Sequence, residues 1–541
     1  MKQPTFAWDR FSYLRSQRDR WFEWLWILGL LLAALTLFGL ELGAVPLGDG
    51  GESLTAQVAR EIARAPLADW AWFFPTLYGQ PYFAGAPLAP SLIAALYLHW
   101  DAWTWGARLP GALLAACSVP LFYGLGRELF PVRLPARFAA FFYLTSLPVL
   151  RQGRLAGPGG AILCLMILAL WCALRSRRDW RWSLGLGLSL GLLGWAHGGV
   201  AFWVVGMAIA FLAWDTPRLC FLPWFWLGLL LGSAPLIAGY AAQWWRYGDI
   251  FLDQAIIASL RAMVELSAVE PLPIWWLLRE LASLLPALVF GVTGLSLLHS
   301  QWQWGWAKLA GVWLLGGSLA IAANLLHPAP NLLTVFYPAV ALVAGAHLAA
   351  VWQQPRSHYY PLSWSWGLLV LGLAATSGCL VASGLEPERA PMLVLAAIAL
   401  TLGTVALLLD RQEQQFAIVF FWGLYVSWLM LVSSSYWLPE LPSQPSFRAA
   451  ATLIRYATPP DQPVYTSLST EHSALNFYSD RRVLPATAAE LQRYWRQQTQ
   501  PYFLLDMEAI ATLSLPRLQK IARAEPDWLL VTKQAATREL D

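Results

Sequence analysis

Charge is scarce in this chain. Lys and Arg number 36 and Asp and Glu 32 in 541 residues, 13% together, about half the share of an ordinary soluble domain. The net charge is only +4, and the arginines stand at the ends of apolar runs instead of along one stripe, which excludes a nucleic-acid-binding surface. Cysteine is scarce as well. Cys117, Cys164, Cys172, Cys220 and Cys379 all fall in apolar segments, so they read as buried small apolar residues and not as a disulfide framework or a zinc site. No His/Asp cluster of metal-ligand spacing is present, and neither is an internal repeat or a low-complexity tract.

What is abundant is hydrocarbon. Hydrophobic residues make up 58% of the chain and mean hydropathy is +0.49, the composition of a polytopic α-helical membrane protein. Many of the 33 tryptophans flank apolar runs, among them Trp21, Trp24, Trp70, Trp72, Trp244, Trp245, Trp275 and Trp276, where indoles favour the headgroup level. The first run, 24–44, is too long for a signal-peptide core and lacks a small-x-small cleavage site, so it is expected to be a retained anchor.

Runs of spanning length can be drawn near 24–44, 107–126, 138–150, 160–174, 183–197, 199–214, 221–241, 281–298, 309–326, 331–351, 363–384, 391–409 and 416–437, about thirteen in all. Lys2, Arg10, Arg15, Arg18 and Arg20 precede the first, and Arg127, Arg133, Arg137, Arg175, Arg177, Arg178 and Arg181 occupy alternate loops. That bias puts these loops and the N-terminus on the cytoplasmic side. The opposite loops are acidic, with Asp49, Glu52, Glu61, Asp69, Asp101, Asp249, Asp253, Glu265, Glu270, Glu386 and Glu388.

An odd number of spans places the polar tail outside, beyond a linker that holds Pro439, Pro442, Pro445, Pro459 and Pro460. Residues 1–437 are thus expected to form a membrane domain with external loops at 45–106 and 241–280, and 438–541 a small extracytoplasmic α/β domain. Within the tail the pattern predicts helix over 447–456, 490–497 and 510–523, and strand over 464–466, 502–505 and 528–532.

Where almost everything is apolar, carboxylates at the mouth of a span mark the place for water-dependent chemistry. Asp49 and Glu52 lie in Pro46-Leu47-Gly48-Asp49-Gly50-Gly51-Glu52, directly ahead of an amphipathic stretch, Ser53 to Arg64. A structural reading competes: acids there cap a helix N-terminus, and Leu54, Val58 and Ile62, at i, i+4 and i+8, would lay that helix on the membrane.

Several collinear segments resemble glycosyltransferase family 39, the membrane-embedded group of protein O-mannosyltransferases and lipid A aminoarabinose transferases. Glu52 to Ile62, with Arg60 and Glu61, is similar to that family's acidic pair and following helix. Pro75-Thr76-Leu77-Tyr78-Gly79-Gln80-Pro81-Tyr82-Phe83 with Ala86-Pro87-Leu88 resembles its tyrosine-containing loop, and Ala107-Arg108-Leu109-Pro110 its next helix start. Arg151 to Gly159, Arg246 to Phe251 and Tyr337-Pro338-Ala339 fit later loop and helix ends, and Phe477 to Val483 an external domain found in many bacterial members. Three positions depart: Gly51 stands where the family has Asp, Gly85 where it has Lys, and Gly159 where it has Asp.

The resemblance implies a GT-C-like fold and transfer of a sugar from a polyprenyl-phosphate donor to a lipid, glycan or protein hydroxyl on the outer face of the membrane. With no His/Asp cluster, no cofactor or metal is expected, and the expected partners are donor, acceptor and membrane lipids. A carboxylate must then take the acceptor's proton and cations must hold the departing phosphate. Asp49, two residues before the vacated position in a glycine-rich turn, is the candidate base and Glu52 its supporting acid. Arg60, Tyr82, Arg151, Arg154, Arg246 and His327 are the candidate substrate-binding residues, with His197 at a similar outward turn. Snorkelling, or pairing with Asp249 or Asp253, competes for the arginines. The losses at Gly51, Gly85 and Gly159 leave a non-catalytic lipid-binding scaffold as the alternative. A secondary transporter fits less well, since no inverted repeat is visible.

Overall fold

The computed structural model describes residues 17–66, 69–83, 85–100, 102–257, 274–326, 330–354, 359–385, 389–438, 447–460, 462–524 and 528–534. The chain divides into two compact units.

The first unit comprises Met1–Leu42, Phe83–Ala89 and Arg108–Leu438, and its described residues form helices with the turns that join them. Among the described residues nine helices are long and apolar enough to cross a membrane: Trp21–Gly39, Thr104–Leu129, Gly159–Ser176, Gly198–Asp215, Pro223–Tyr247, Gly305–Ala322, Leu333–Trp352, Leu362–Val381 and Ala390–Asp410. Trp182–Ala196, Leu285–Ser300 and Phe416–Val432 are shorter apolar helices that coincide with three further runs read from the sequence. Gly159–Ser176 and Leu333–Trp352 are mostly enclosed by protein, whereas Pro223–Tyr247 and Leu362–Val381 turn most of their surface outward. Close packing rests on small residues, as expected where hydrocarbon surrounds the helices. A side chain at Gly187 or Gly232 would collide with the backbone of Leu229 or Leu184, and one at Gly345 with that of Ala139.

Two expectations are corrected here. The run at 138–150 is no single span. Arg133–Leu144 ends, the chain turns at Thr145-Ser146, and Leu147–Arg154 begins anew with Pro148 in its first turn, where the missing N–H of proline costs nothing but cannot continue a preceding helix. The cysteines are free, but only Cys164 and Cys172 are buried; Cys220 and Cys379 are half-buried and Cys117 is exposed.

The second unit comprises Gly43–Tyr82, Pro90–Ala107 and Pro439–Asp541. The first loop and the tail therefore fold together. A small hairpin pairs β1 (Thr76–Leu77) with β2 (Gln80–Pro81). The tail carries a five-stranded sheet of β3 (Val464–Thr466), β4 (Val483–Pro485), β5 (Tyr502–Asp506), β6 (Leu518–Ala524) and β7 (Trp528–Lys533) in the order β4-β3-β5-β7-β6. β3 runs parallel to β4 and β5, while β7 is antiparallel to β5 and β6.

Alternation across the strands feeds two cores. Val464, Leu504 and Leu530 pack with Phe447, Ala451 and Ile454 on one face, and Tyr465, Phe503, Leu505 and Val531 with Leu491 and Trp495 on the other. A centre covered on both faces explains why β5 is apolar at successive positions. The predicted helix over 510–523 is corrected: Met507–Thr512 is helical, but after Pro516 the chain becomes β6. There it covers the edge of β7, an edge that would otherwise present unpaired backbone groups.

Candidate functional site

The first loop enters its helix, Gly51–Arg64, through Gly50 at φ +90° and ψ −114°, a conformation that side chains strongly disfavour. Glu52 is buried, and its carboxylate accepts the Gly48 N–H at 2.9 Å, so this acid braces its own turn. The same helix does not lie bare on a membrane. Val58 and Ile62 are buried, as are Ala56, Gln57, Ala59 and Arg60, and Leu54 is half-buried. The helix packs against Ser473–Ser479 in the tail.

Asp49 caps this tail helix and not its own. One carboxylate oxygen accepts the Ala474 N–H at 3.0 Å and the Ser473 hydroxyl at 3.2 Å. The other lies 2.5 Å from Nδ1 of His472. Burial pushes the Asp49 carboxyl upward, but the Ala474 N–H, His472 and Ser473 outweigh it and hold the group below its ordinary value. Ser473 Oγ also accepts the Gly50 N–H at 2.9 Å and meets Ser53 Oγ at 2.7 Å, while Leu47 N–H donates to the Tyr478 hydroxyl at 2.6 Å. The His472 ring packs on Phe447 with centroids 4.6 Å apart, and its Nε2 lies 3.3 Å from the Thr470 hydroxyl.

Arg60 is committed within the same unit. Its guanidinium lies over the Phe477 ring at 4.0 Å and donates to Asp480 at 3.1 Å. Burial lowers its pKa to about 10, partly offset by Asp480. Arg64 binds both Asp480 oxygens, at 2.8 and 2.9 Å. Burial raises the Asp480 carboxyl, yet Arg64 and Arg60 together hold it below its usual value. Glu61 accepts the Tyr78 N–H at 2.8 Å and the Thr76 hydroxyl at 3.1 Å, tying the hairpin to the helix. Tyr78 has φ +53° and its hydroxyl accepts from Asn476 at 2.6 Å; burial pushes its phenol up to about 12. Tyr82 is half-buried, with its phenol raised by burial.

The remaining cations belong to the first unit. Arg154 is wholly buried, and its Nη1 donates to the carbonyls of Leu37 and Phe38 at 3.1 Å. Arg108 is likewise buried and donates to the Leu42 carbonyl at 3.0 Å. Both guanidiniums stack on Trp437, at 4.7 and 5.0 Å, which orders two like charges against the carbonyl end of the first helix. Arg151 is half-buried, whereas Arg246 is exposed beside the Tyr247 ring at 5.6 Å. His197 caps its following helix by accepting the Val200 N–H at 3.2 Å. His327 lies outside the described residues. Among the described residues no group of three His, Cys, Asp or Glu side chains is placed to hold a metal.

The structure thus brings Asp49, Glu52, Arg60 and Tyr82 into one unit, and Arg151, Arg154 and Arg246 into the other. Sequence reasoning missed His472, Ser473 and Asn476. Its one signal was the resemblance at Phe477 to Val483, immediately after them.

Comparison with known proteins agrees with the resemblance. Residues 84–240 match the family model for dolichyl-phosphate-mannose-protein mannosyltransferase. An undecaprenyl phosphate-α-4-amino-4-deoxy-L-arabinose arabinosyl transferase 2 from Pseudomonas fluorescens Pf0-1 is 28% identical over 255 residues, 46% of this chain and 41% of the relative. Its counterpart from strain Pf-5 is 30% identical over 262 residues, 46% of this chain and 39% of the relative. The chain therefore aligns with about two-fifths of the length of these relatives.

Among solved structures, the crystal structure of ArnT from Cupriavidus metallidurans bound to undecaprenyl phosphate superimposes with a TM-score of 0.73 at 16% identity. That match covers 94% of this chain and 98% of the other. The archaeal oligosaccharyltransferase AglB from Archaeoglobus fulgidus, in complex with an inhibitory peptide and a dolichol-phosphate, follows at 0.53 and 12% identity, covering 91% of this chain and 70% of the other. The fold is a GT-C-type arrangement of membrane helices with a small C-terminal sheet domain, as the resemblance implied, and the chain is a multi-pass membrane protein.

Proposed function

We propose that this chain is an integral-membrane glycosyltransferase that moves a sugar from a polyprenyl-phosphate donor to a lipid, glycan or protein hydroxyl on the outer face of the membrane. The observation that carries this reading is the match of about half the chain to two undecaprenyl-phosphate aminoarabinose transferases. The acidic first loop, folded with the tail, supports it. The charge bias of the loops supports a cytoplasmic N-terminus and an outer tail.

In this reading the first loop brings the carboxylate of Asp49 to the side of the reaction where the acceptor is deprotonated, with Glu52 fixing the turn that presents it. Arg60 has its guanidinium engaged by Asp480 in its own unit, and Arg154 by backbone carbonyls in the other. Arg151, Arg246, the Tyr82 hydroxyl and His327 are candidates to donate to the phosphate on their sequence positions.

The test is transfer by purified protein in lipid nanodiscs across a panel of polyprenyl-phosphate sugars. Wild type is expected to release polyprenyl phosphate, and Asp49→Asn and Glu52→Gln to lose about 100-fold or more. The glycines at 51 and 159 favour a second reading, a lipid-binding scaffold without turnover. Carrier binding without turnover over the whole panel would select it.

A further inference from the structure

We propose that the group receiving the acceptor's proton is Nε2 of His472, in the tail, with Asp49 as the carboxylate that orients it. This deepens the glycosyl-transfer reading and rests on it.

Asp49 is poorly disposed to act as the base itself. Its two oxygens already take the Ala474 N–H, the Ser473 hydroxyl and His472 Nδ1, and a carboxylate supplied with that many donors has little affinity for another proton. The same arrangement suits a different task. Nδ1 of an imidazole 2.5 Å from a carboxylate oxygen carries its hydrogen there, which leaves the lone pair on Nε2 and provides a counter-charge for the imidazolium once it forms. The ring is fixed by Phe447 on one side, and the pair keeps contact with solvent, each side chain about one-fifth exposed. Thr470 Oγ1, 3.3 Å from Nε2, is the hydroxyl that this nitrogen meets, and the acceptor's hydroxyl takes its place, whereas the Ala474 N–H on Asp49 is fixed backbone.

Among the described residues, three charged side chains bear on the ring and its neighbours. Asp49 faces it from the first loop. Glu471, its neighbour in sequence, is bound to the Asn476 amide at 2.8 Å. Arg448, beside Phe447, lies over the Tyr478 ring at 5.5 Å.

In the step that follows, the acceptor O–H bond breaks and its proton passes to Nε2. The oxygen forms the new bond to the anomeric carbon, and the bond from that carbon to the phosphate oxygen breaks with its electron pair leaving on polyprenyl phosphate. The imidazolium then gives its proton to water, so no oxidant, metal or further reactant is needed.

Three proteins test this with the same donor and acceptor: wild type, His472→Asn and His472→Ala. Asparagine retains an N–H toward Asp49 but does not titrate. It is expected to lower kcat by about 100-fold or more, leave the donor KM within about two-fold, and abolish the acidic limb of the kcat/KM profile. Added imidazoles are expected to restore His472→Ala at rates that rise with their basicity, a response that a packing role would not give. An active wild type whose His472→Asn variant keeps its rate or its acidic limb overturns the relay alone, and so does rescue that ignores basicity. A wild type silent on every donor overturns the glycosyltransferase reading and the relay with it.

Discussion

Arg64 grips Asp480 with two parallel N–H···O bonds of 2.8 and 2.9 Å, joining residues 416 positions apart in the chain. Arg60, one turn earlier, brings a buried guanidinium to the same carboxylate. One acid in the tail therefore neutralises two cations of the first-loop helix.

Asp480→Asn is expected to destabilise the loop-and-tail unit by about 3 kcal/mol, because it strands the buried Arg60 charge. Asp480 sits at φ +54°, and asparagine tolerates that left-handed conformation, so the loss reports charge and not backbone strain. Thermal unfolding of the full chain in nanodiscs measures it, and an Arg60→Met, Asp480→Asn double variant should recover part of the loss.

Acid should act on the same unit. Asp49 and Asp480 both have folded-state values below the ordinary 3.8, so near that pH the unfolded chain binds more protons than the folded one. Their stabilisation is complete above the ordinary value and is lost as pH falls through the folded values. The melting temperature is expected to drop on titration from pH 6 to 3, and Asp480→Asn should flatten part of that slope.

The two glycines at positions where the resembling family carries acids will not accept them equally. Gly51 is helical, and a Cβ there meets nothing within 4 Å. Gly51→Asp, a charge in the first turn, is expected to keep stability within about 1 kcal/mol. A Cβ at Gly159 would lie 2.5 Å from the Gln152 carbonyl oxygen, so Gly159→Asp should cost about 1–3 kcal/mol through overpacking. Yield and melting temperature of the two single variants decide this.

Glu61 should prove a structural acid. Removing it by Glu61→Ala leaves the Tyr78 N–H and Thr76 hydroxyl without their carboxylate, at a cost of about 1–3 kcal/mol. Amide hydrogen exchange at residues 76–81 is expected to quicken markedly, with exchange in β3 and β5 unchanged.

Much of this was legible beforehand for a physical reason. A membrane helix satisfies its own backbone and needs only a long apolar run, so length and hydropathy located most of the helices. The limits of that signal show at Thr145-Ser146, where an apolar run continues through a break made by two polar side chains and Pro148. In the tail, β3 and β5 were readable because apolar residues occupy successive positions. β6 was not, because Leu518 and Ile521 suit a helical face as well as an edge strand. At the site, the acidic turn before an amphipathic stretch singled out Asp49 and Glu52, but not that Asp49 accepts from Ala474 and Ser473 in the tail while Glu52 accepts from Gly48 in its own turn.

Composition and periodicity by themselves determined a helical membrane body, a small α/β tail and an acid-bearing first loop, since each depends on local preference or on transfer of side chains out of water. Tertiary structure alone decided that Asp49 meets His472 and that Arg60 and Arg64 meet Asp480. Those pairings join residues more than 400 positions apart, and they exist because folding, not spacing along the chain, brings donor and acceptor to hydrogen-bonding distance.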